Sequence, residues 1–450
     1  MSKSRKFLFV LPAAAFLVIS IPAAITLIYL HGDQFHPASR MRSVIWLSKR
    51  AVAEAAGALV SVYDPYRSKL ILAQTGPAEP VLPQNPRDKF TSARDLQRYF
   101  DDNQPSSGIV IETFTNDTLP RSRFPFLYQT AAEPLLDSLR TLYNLEDQVR
   151  GVEDDFEVFK RLTFWLHLKF YERPGLPKTD LNVNFNFNAL DILYQAGRGQ
   201  RFWCSELSTT LVQCLAALGY TARYVMLDSE NGGHVVCEAW CETFGKWLML
   251  DPTYARIVTV DGIPQSVYEL HCLLKSPERE AQAAIIQGKT GPQYDLKNEF
   301  YFSLYRNFAV RMRNDWFTNR FPRWYPLSNS VMNAVEWQDE LTSDNVYYKN
   351  ETGRLEDLYW PLDRVRLSVV PAHEGILRIF LDTFTPNFSE FEIQFGADSL
   401  VTTQKAALFW SLEPGVNRLH VRSVNQMGIR GRPVRLEIRW NTEEEIRRAG

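Results

Sequence analysis

The sequence predicts an α+β protein with one N-terminal membrane helix, a core of mixed helices and strands, and a C-terminal all-β sandwich. Three observations support this prediction. A long uncharged apolar segment lies near the N-terminus. Helical and strand-like spacings of apolar residues alternate through the middle of the chain, and after Leu358 apolar residues recur at every second position, as in strands. The predicted ranges are 1–30 for the anchor, 31–110 for a juxtamembrane helix and Pro-rich linker, 111–345 for the core and 354–442 for the sandwich.

The composition is that of a globular protein with packed cores. A chain of 450 residues allows two to three domains at ~150 residues each. Hydrophobic residues make up 45% and charged residues 23% of the chain, and the formal net charge is −2, so no nucleic-acid partner is expected. The five cysteines are an odd number, so at least one thiol is free or pairs between chains.

The N-terminal segment predicts a single-pass membrane protein. Phe7–Leu30 carries no charge, and at ~1.5 Å per residue a helix of this length crosses a bilayer core. Lys3, Arg5 and Lys6 precede it, which places the start of the chain in the cytoplasm and the rest of the chain after Leu30 in an extracytoplasmic position. A cleaved signal peptide is the alternative, because residues 22–24 offer small side chains after an apolar run.

The region between the anchor and the core is predicted to be mostly linker. Arg40–Val60 has scattered helical spacing and is interpreted as a juxtamembrane helix. Gln74–Pro105 collects prolines among polar residues, which is the composition of an extended linker. Gly108–Thr115 alternates apolar and polar residues and predicts a strand.

Two helices and one extended segment precede the central motifs. Ala131–Tyr143 and Asp154–Tyr171 carry apolar side chains every three or four positions, so each predicts a helix with a buried face. Residues 181–188 alternate asparagines with apolar residues, which predicts an extended segment. Its amides either line a polar cleft or form a solvated face.

Cys204 follows a glycine-containing loop and lies at the first turn of a predicted helix, Ser205–Leu218. The partial positive charge of a helix N-terminus favours thiolate over thiol. The alternative is a buried inert cysteine, which is the prediction for Cys214 on the apolar face of the same helix. The sequence also allows a disulfide bond among the other four cysteines, which would leave Cys204 as the odd free thiol. The candidates for it are Cys214, Cys237, Cys241 and Cys272.

His234 and Asp251 are predicted at one edge of a β-hairpin. His234 begins the predicted strand His234–Cys241, and Asp251 directly follows the returning strand Trp247–Leu250. A thiolate needs a proton acceptor within hydrogen-bond reach, and an imidazole needs an acceptor that fixes its tautomer. The three side chains therefore predict acyl transfer through a thioester. A structural histidine is the alternative interpretation of His234 alone.

A metal site is the competing chemical interpretation of this region. His234, Cys237 and Cys241 lie close in sequence, and His271 and Cys272 follow downstream. In a strand, Cys237 and Cys241 would lie ~13 Å apart at about 3.3 Å per residue, with His234 on the opposite face. Tetrahedral coordination needs ligands much closer together, so no metal site is predicted.

Four motifs occur in a fixed order around these residues. They are Trp203-Cys204 ahead of an apolar helix, Leu218-Gly-x-x-Ala-Arg223, Gly233-His234-Val-Val-Cys-Glu238-Ala-Trp240, and Trp247-x-x-x-Asp251-Pro-Thr253. The sequence here resembles the transglutaminase-like family, which is part of the papain-like cysteine enzyme group. A weaker resemblance extends toward the N-terminus as far as Asp154.

The resemblance implies a transglutaminase-like (papain-like) fold for the core. It also implies that Cys204 is the nucleophile, His234 the base and Asp251 the residue that orients the base, with no cofactor. An upstream tryptophan contributes to the site in some members, which makes Trp165 a candidate oxyanion or wall residue.

The C-terminal part predicts a β-sandwich of immunoglobulin or fibronectin type without a buried disulfide. Glycines mark the turns between five short alternating strands. The strands are residues 365–370, 376–381, 391–395, 417–422 and 434–440. The aromatic-rich stretch Asn298–Trp337 precedes this region and is interpreted as packing between domains, with a carbohydrate- or headgroup-contacting surface as the alternative.

The sequence therefore predicts a cysteine-dependent acyltransferase or hydrolase that acts outside the membrane on a protein or peptide substrate. The reaction is cleavage or transfer of an amide or peptide bond by a Cys-His-Asp thioester mechanism. The alternative is a non-catalytic scaffold of the same fold within an envelope or polysaccharide assembly.

Overall fold

The computed structural model describes residues 90, 92–104, 108–171, 187–229, 232–290, 297–317, 334–342, 350–397 and 400–441. The predicted membrane anchor and juxtamembrane helix lie outside these residues, as do positions 181–186 of the asparagine-rich segment. Within the described ranges, no helix is both long enough and apolar enough to cross a membrane.

The protein is a mixed α+β structure, as the sequence predicts. The described helices are α1 (Ala93–Asn103), α2 (Pro134–Leu142), α3 (Leu145–Gln148), α4 (Asp155–Tyr171), α5 (Ala189–Ala196), α6 (Cys204–Ala217), α7 (Val267–Leu273), α8 (Pro277–Glu280), α9 (Asn298–Ser303) and α10 (Leu355–Leu358). The described strands are β1 (Ile109–Thr115), β2 (Ala222–Ser229), β3 (Gly232–Cys241), β4 (Lys246–Leu250), β5 (Arg256–Val260), β6 (Ile263–Pro264), β7 (Ala283–Gln287), β8 (Asn307–Arg311), β9 (Ala334–Trp337), β10 (Glu351–Thr352), β11 (Val365–His373), β12 (Ile376–Thr383), β13 (Phe388–Phe395), β14 (Val401–Thr403), β15 (Ala407–Ser411), β16 (Gly415–Asn425) and β17 (Val434–Trp440).

A six-stranded sheet in the order β10-β9-β8-β2-β3-β4 forms the centre of the core. Its pairs are antiparallel except for the parallel pair of β9 and β10. Helices α2, α4, α5 and α6 cover one face, where Leu136, Phe159, Leu190 and Leu211 are buried in a common cluster. Helix α6 is buried on nearly every side, so it is the central helix of this layer.

The opposite face of the sheet is covered by α7, α9 and a small sheet in the order β6-β5-β7. Val258, Val267 and Tyr301 from these elements are buried in the same apolar cluster as Trp337 of β9. The aromatic stretch interpreted from sequence as packing between domains therefore supplies α9 and two strands of the main sheet, β8 and β9.

Gly219 ends α6 and marks a contact with the C-terminal region. It has φ +91°, and a Cβ there would lie 2.5 Å from Cβ of Met427. A left-handed residue directly after a helix favours glycine, because other residues are strained in that conformation. Its carbonyl accepts a hydrogen bond from the Asn425 side chain at 2.9 Å.

Arg223 and Glu238 form a buried ion pair between β2 and β3. The two residues are directly opposite in the sheet, both side chains are 0% exposed, and Arg223 Nη2 lies 2.6 Å from Glu238 Oε2. The guanidinium lies 4.0 Å from the ring centre of Trp247. Glu238 Oε1 accepts bonds from the Val267 amide at 2.7 Å and the Tyr359 hydroxyl at 2.9 Å. The pair therefore joins the sheet to α7 and to the segment after α10.

The C-terminal part consists of two sheets packed face to face, as predicted. One has the order β1-β17-β16-β13-β14 and the other β11-β12-β15, with one apolar cluster between them. Strands β14 and β15 add to the five strands predicted from sequence.

Two elements differ from the predicted ranges. Strand β1, assigned by sequence to the start of the core 111–345, pairs antiparallel with β17 and buries Ile109, Ile111 and Phe114 in the sandwich cluster. Helix α1 lies within the predicted linker 31–110. Ser92 caps this helix, and the apolar face of the helix packs into the sandwich cluster. The predicted linker is therefore not extended throughout.

A cluster of charged groups lies where the sandwich meets the β3–β4 turn. Glu242 accepts hydrogen bonds from the Arg364 guanidinium and the Arg432 amide. Asp363 is 4% exposed beside them, and among the described residues its Oδ1 has no hydrogen-bond donor. Burial, followed by the charge of Glu242, raises the pKa of Asp363 from 3.8 to about 8, although Arg364 opposes the shift.

Asp363→Asn is expected to reduce the loss of stability as pH rises from about 4 to about 8. In this window the folded protein keeps a proton on Asp363 that the unfolded chain has released, so rising pH favours unfolding. Asparagine has no such proton and tolerates the left-handed backbone at this position, where φ is 53°. Urea unfolding midpoints at pH 5, 7 and 9 measure the effect. Parallel pH dependence in the two proteins would contradict it.

Candidate active site

Cys204 is the first residue of α6, and its thiol is free and partly exposed. Trp203 is the N-cap residue, with an extended backbone and a 47% exposed side chain. The first amide N–H groups of a helix point out of its end and carry its partial positive charge. These amides can stabilise negative charge on a carbonyl oxygen beside the sulfur.

Polar side chains fix the start of α6 against β3. Ser208 Oγ donates to the Val235 carbonyl at 3.0 Å, next to His234. Ser205 Oγ donates to Glu206 Oε2 at 2.6 Å, and Glu206 is only 1% exposed. The Ser208 bond holds the start of the helix against the strand, and the Ser205–Glu206 bond lies within the first turn of the helix.

The hairpin of β3 and β4 brings His234 and Asp251 together, as the sequence predicts. Cys237 pairs with Leu250, so Asp251, the next residue, comes to the part of β3 that carries His234. His234 Nε2 lies 3.0 Å from Asp251 Oδ2. Both side chains are in the interior, at 5% and 0% exposure, so water does not compete for the bond.

Cys204 and Asp251 both interact with the imidazole of His234. Burial lowers the pKa of His234, but the charge of Asp251 and the hydrogen bonds that His234 makes with Asp251 and Cys204 outweigh it and raise the pKa to about 10. Because Nε2 faces Asp251, Nδ1 is the ring nitrogen available to the thiol. An imidazole whose pKa is raised in this way is a suitable proton acceptor for the Cys204 thiol.

Asp251 is held by donors on both oxygens. Oδ1 accepts from the Thr253 amide at 2.9 Å and the Tyr254 amide at 3.1 Å. The backbone of Asp251 also pairs with that of Arg256, with two bonds of 3.0 Å. The Asp-Pro-Thr segment therefore forms a tight loop whose amides fix the carboxylate.

Tyr301 is a further member of the site that the sequence did not reveal. Its hydroxyl donates to Asp251 Oδ2 at 3.0 Å, the oxygen that also faces His234. The ring of Tyr254 lies 5.0 Å from that of His234 and 6.0 Å from that of Tyr301. Tyr301 lies within the aromatic stretch interpreted as packing, and composition was the only signal that drew attention to it.

The other cysteines are placed away from this arrangement. Cys214 is fully buried in the core, as predicted, and burial raises its pKa. Cys237 is buried in β3, and Cys241 Sγ donates to Asp155 Oδ1 at 3.1 Å. Cys272 lies in α7, and all five thiols are unpaired in this structure.

Within the part of the chain that the structure describes, no group of three or more acidic, histidine or cysteine side chains is arranged to hold a metal ion. His271, which was considered as a ligand, instead bonds Asp339 at 2.9 Å through Nε2. Trp165 of α4 packs against the core cluster with the Lys169 ammonium 5.9 Å from its ring centre. An oxyanion role for Trp165 stays a prediction.

Compared with known proteins, the chain matches no protein-family model and no curated protein. The resemblance to transglutaminase-like enzymes therefore stays a prediction from the motif residues, Cys204, His234 and Asp251 among them.

Proposed function

We propose that this protein is a transglutaminase-like cysteine enzyme that acts on amide or peptide bonds through a Cys204 thioester. One observation carries the proposal. A partly exposed thiol at a helix N-terminus contacts His234, and His234 contacts a fully buried carboxylate, Asp251. The order of the motifs and the packing of α6 against a mainly antiparallel sheet support the family assignment.

In the first half of the reaction, the Cys204 thiolate attacks the carbonyl carbon of the substrate amide. Electrons move to the oxygen, where amide N–H groups at the start of α6 stabilise the charge. The intermediate collapses with cleavage of the C–N bond, and the His234 imidazolium gives its proton to the leaving amine. The products are a free amine and a thioester on Cys204.

In the second half, water or an amine attacks the thioester, and His234 takes the proton that the nucleophile loses. The C–S bond breaks and restores the thiolate–imidazolium pair. Water gives a carboxylic acid, which is hydrolysis, and an amine gives a new amide, which is acyl transfer. Asp251 holds Nε2–H of His234 and stabilises the imidazolium at each stage.

The predicted N-terminal anchor, residues 1–30, supports an extracytoplasmic location for this chemistry. The enzyme would then be a single-pass membrane protein with a protein or peptide substrate. Its sandwich is proposed to present the core or to contact partners in an envelope or polysaccharide assembly.

Alkylation by iodoacetamide at mildly acidic pH tests the proposal. Cys204 is expected to react well before the other thiols, because an imidazolium partner keeps it ionised where ordinary thiols are protonated. Peptide mapping of the labelled protein identifies the site. Cys272 supplies the matched control, since it is also partly exposed but burial raises its pKa, and Cys272→Ala should keep the early labelling.

No preferential labelling of Cys204, together with full activity in Cys204→Ala, would contradict the enzyme and support the scaffold alternative. A screen of amide substrates with and without added amine separates hydrolysis from transfer. Product masses identify which acceptor resolves the thioester.

A further inference from the structure

Two buried tyrosines continue the hydrogen-bonded series beyond Asp251. The Tyr301 hydroxyl donates to Asp251 Oδ2 at 3.0 Å, and the Tyr305 hydroxyl lies 3.0 Å from the Tyr301 oxygen. Both tyrosines are 0% exposed. Because an ionised carboxylate only accepts, Tyr301 donates to Asp251, and its oxygen accepts from Tyr305. The other acceptor near the Tyr305 hydroxyl is Met249 Sδ, which is more distant at 3.5 Å and a weaker acceptor.

We propose that Tyr301 is a positioning residue for the thioester reaction, which holds the ionised carboxylate of Asp251 against His234 and is itself oriented by Tyr305. This inference rests on the proposed function, because its effect is exerted through the Cys204–His234 pair. It assigns a role to a side chain that lies outside the three motif residues.

The donors around Asp251 explain why the hydroxyl matters. Two backbone amides occupy Oδ1, and His234 and Tyr301 occupy Oδ2, so the carboxylate has about as many donors as it has lone-pair sites. Loss of one donor in a dry interior leaves a lone pair of Oδ2 unsatisfied and removes a bond that fixes the orientation of the carboxylate. A carboxylate that turns away from His234 no longer stabilises an imidazolium.

The surroundings of Tyr301 keep its hydroxyl in place and protonated. The Arg256 guanidinium lies 4.8 Å from its ring centre, and the Arg256 backbone pairs with that of Asp251. Burial, followed by the charge of Asp251, raises the pKa of Tyr301 well above its ordinary value. Tyr301 therefore stays a neutral donor over the pH range in which the thiolate–imidazolium pair exists.

Tyr305 is fixed from a separate element. Its backbone carbonyl faces His271 Nδ1 of α7 at 3.1 Å, and His271 in turn bonds Asp339. Hydrogen bonds in a chain strengthen one another, so donation from Tyr305 makes Tyr301 a better donor to Asp251. Removing the Tyr305 hydroxyl is therefore expected to shift the pH profile of Cys204 alkylation in the same direction as removing the Tyr301 hydroxyl, but by a smaller amount.

The test is the pH profile of Cys204 alkylation in the full-length protein. Tyr301→Phe is expected to slow alkylation on the acid side about tenfold, the size of a lost hydrogen bond to a charged group, and to move the midpoint of thiolate formation to higher pH. Tyr305→Phe should give a smaller shift of the same sign. The matched control is Tyr359→Phe, because the Tyr359 hydroxyl donates to a different buried carboxylate, Glu238, at 2.9 Å.

A purely structural role would lower the unfolding temperature without moving the alkylation midpoint. If wild-type Cys204 reacts early and Tyr301→Phe leaves the midpoint unchanged, the positioning role is wrong while the proposed enzyme stands. If wild-type Cys204 does not react early, both are wrong. Should Tyr301→Phe fail to fold, Tyr305→Phe decides, and an unshifted midpoint there overturns the inference.

Discussion

His234→Gln is expected to reduce turnover of an amide substrate about 10⁴-fold, the upper end for one positioned acid–base group. The loss is large because His234 keeps Cys204 ionised and also protonates the leaving amine. Glutamine carries no positive charge, yet its side-chain amide can still donate to Asp251 in this nearly buried position. The early alkylation of Cys204 at acidic pH should disappear with the activity.

The control for this variant is His271→Asn. His271 is a second buried histidine, with its Nε2 2.9 Å from Asp339, so the substitution removes a similar His–Asp contact. The asparagine amide can still donate to the Tyr305 carbonyl that faces His271 Nδ1, so Tyr305 keeps its position and the early labelling should remain. Equal losses in the two variants would indicate a general effect of removing a buried histidine, and normal turnover in His234→Gln would exclude the proposed base.

The sequence could predict the three motif residues because each is placed by a local element. Cys204 lies at a helix start, and His234 and Asp251 are brought together by one hairpin. Tyr301 could not be predicted in the same way. It reaches Asp251 from 50 residues further along the chain, and this contact has no local pattern in the sequence.

Strand pairing was predictable only in part for the same physical reason. An alternating apolar pattern identifies Ile109–Thr115 as a strand but says nothing of its partner. Its pairing with β17 joins residues more than three hundred positions apart, from Ile109 to Trp440. Helix α1 was not predicted, because the prolines around it dominate the composition of the predicted linker.

The buried ion pair behind the site supplies the second large effect. Arg223→Met is expected to lower the free energy of unfolding by about 3–5 kcal/mol, because Glu238 is then left charged in the interior without the cation that pairs with it. Arg223 Nη1 also donates to the Leu358 carbonyl, which would lose that donor. Urea unfolding followed by fluorescence measures the change, since Trp247 lies 4.0 Å from the guanidinium.

The double variant Arg223→Met/Glu238→Gln distinguishes two causes of the lost stability, which are the packing lost around Arg223 and the unpaired charge left on Glu238. If the uncompensated charge of Glu238 causes most of the loss, a neutral amide there should restore part of the stability, because it keeps an acceptor for the Val267 amide and the Tyr359 hydroxyl. A double variant no more stable than Arg223→Met would assign the loss to packing around Trp247.

An exposed ion pair of similar length provides the comparison for this effect. Arg418 Nη2 lies 2.8 Å from Glu437 Oε1, but the Arg418 side chain is 57% exposed. Water solvates either partner when the other is removed, so Arg418→Met is expected to change stability by no more than about 1 kcal/mol. A small effect at Arg418 beside a large one at Arg223 would show that burial determines the cost. The Arg223–Glu238 pair would then be what ties the sheet carrying His234 to the elements packed behind it.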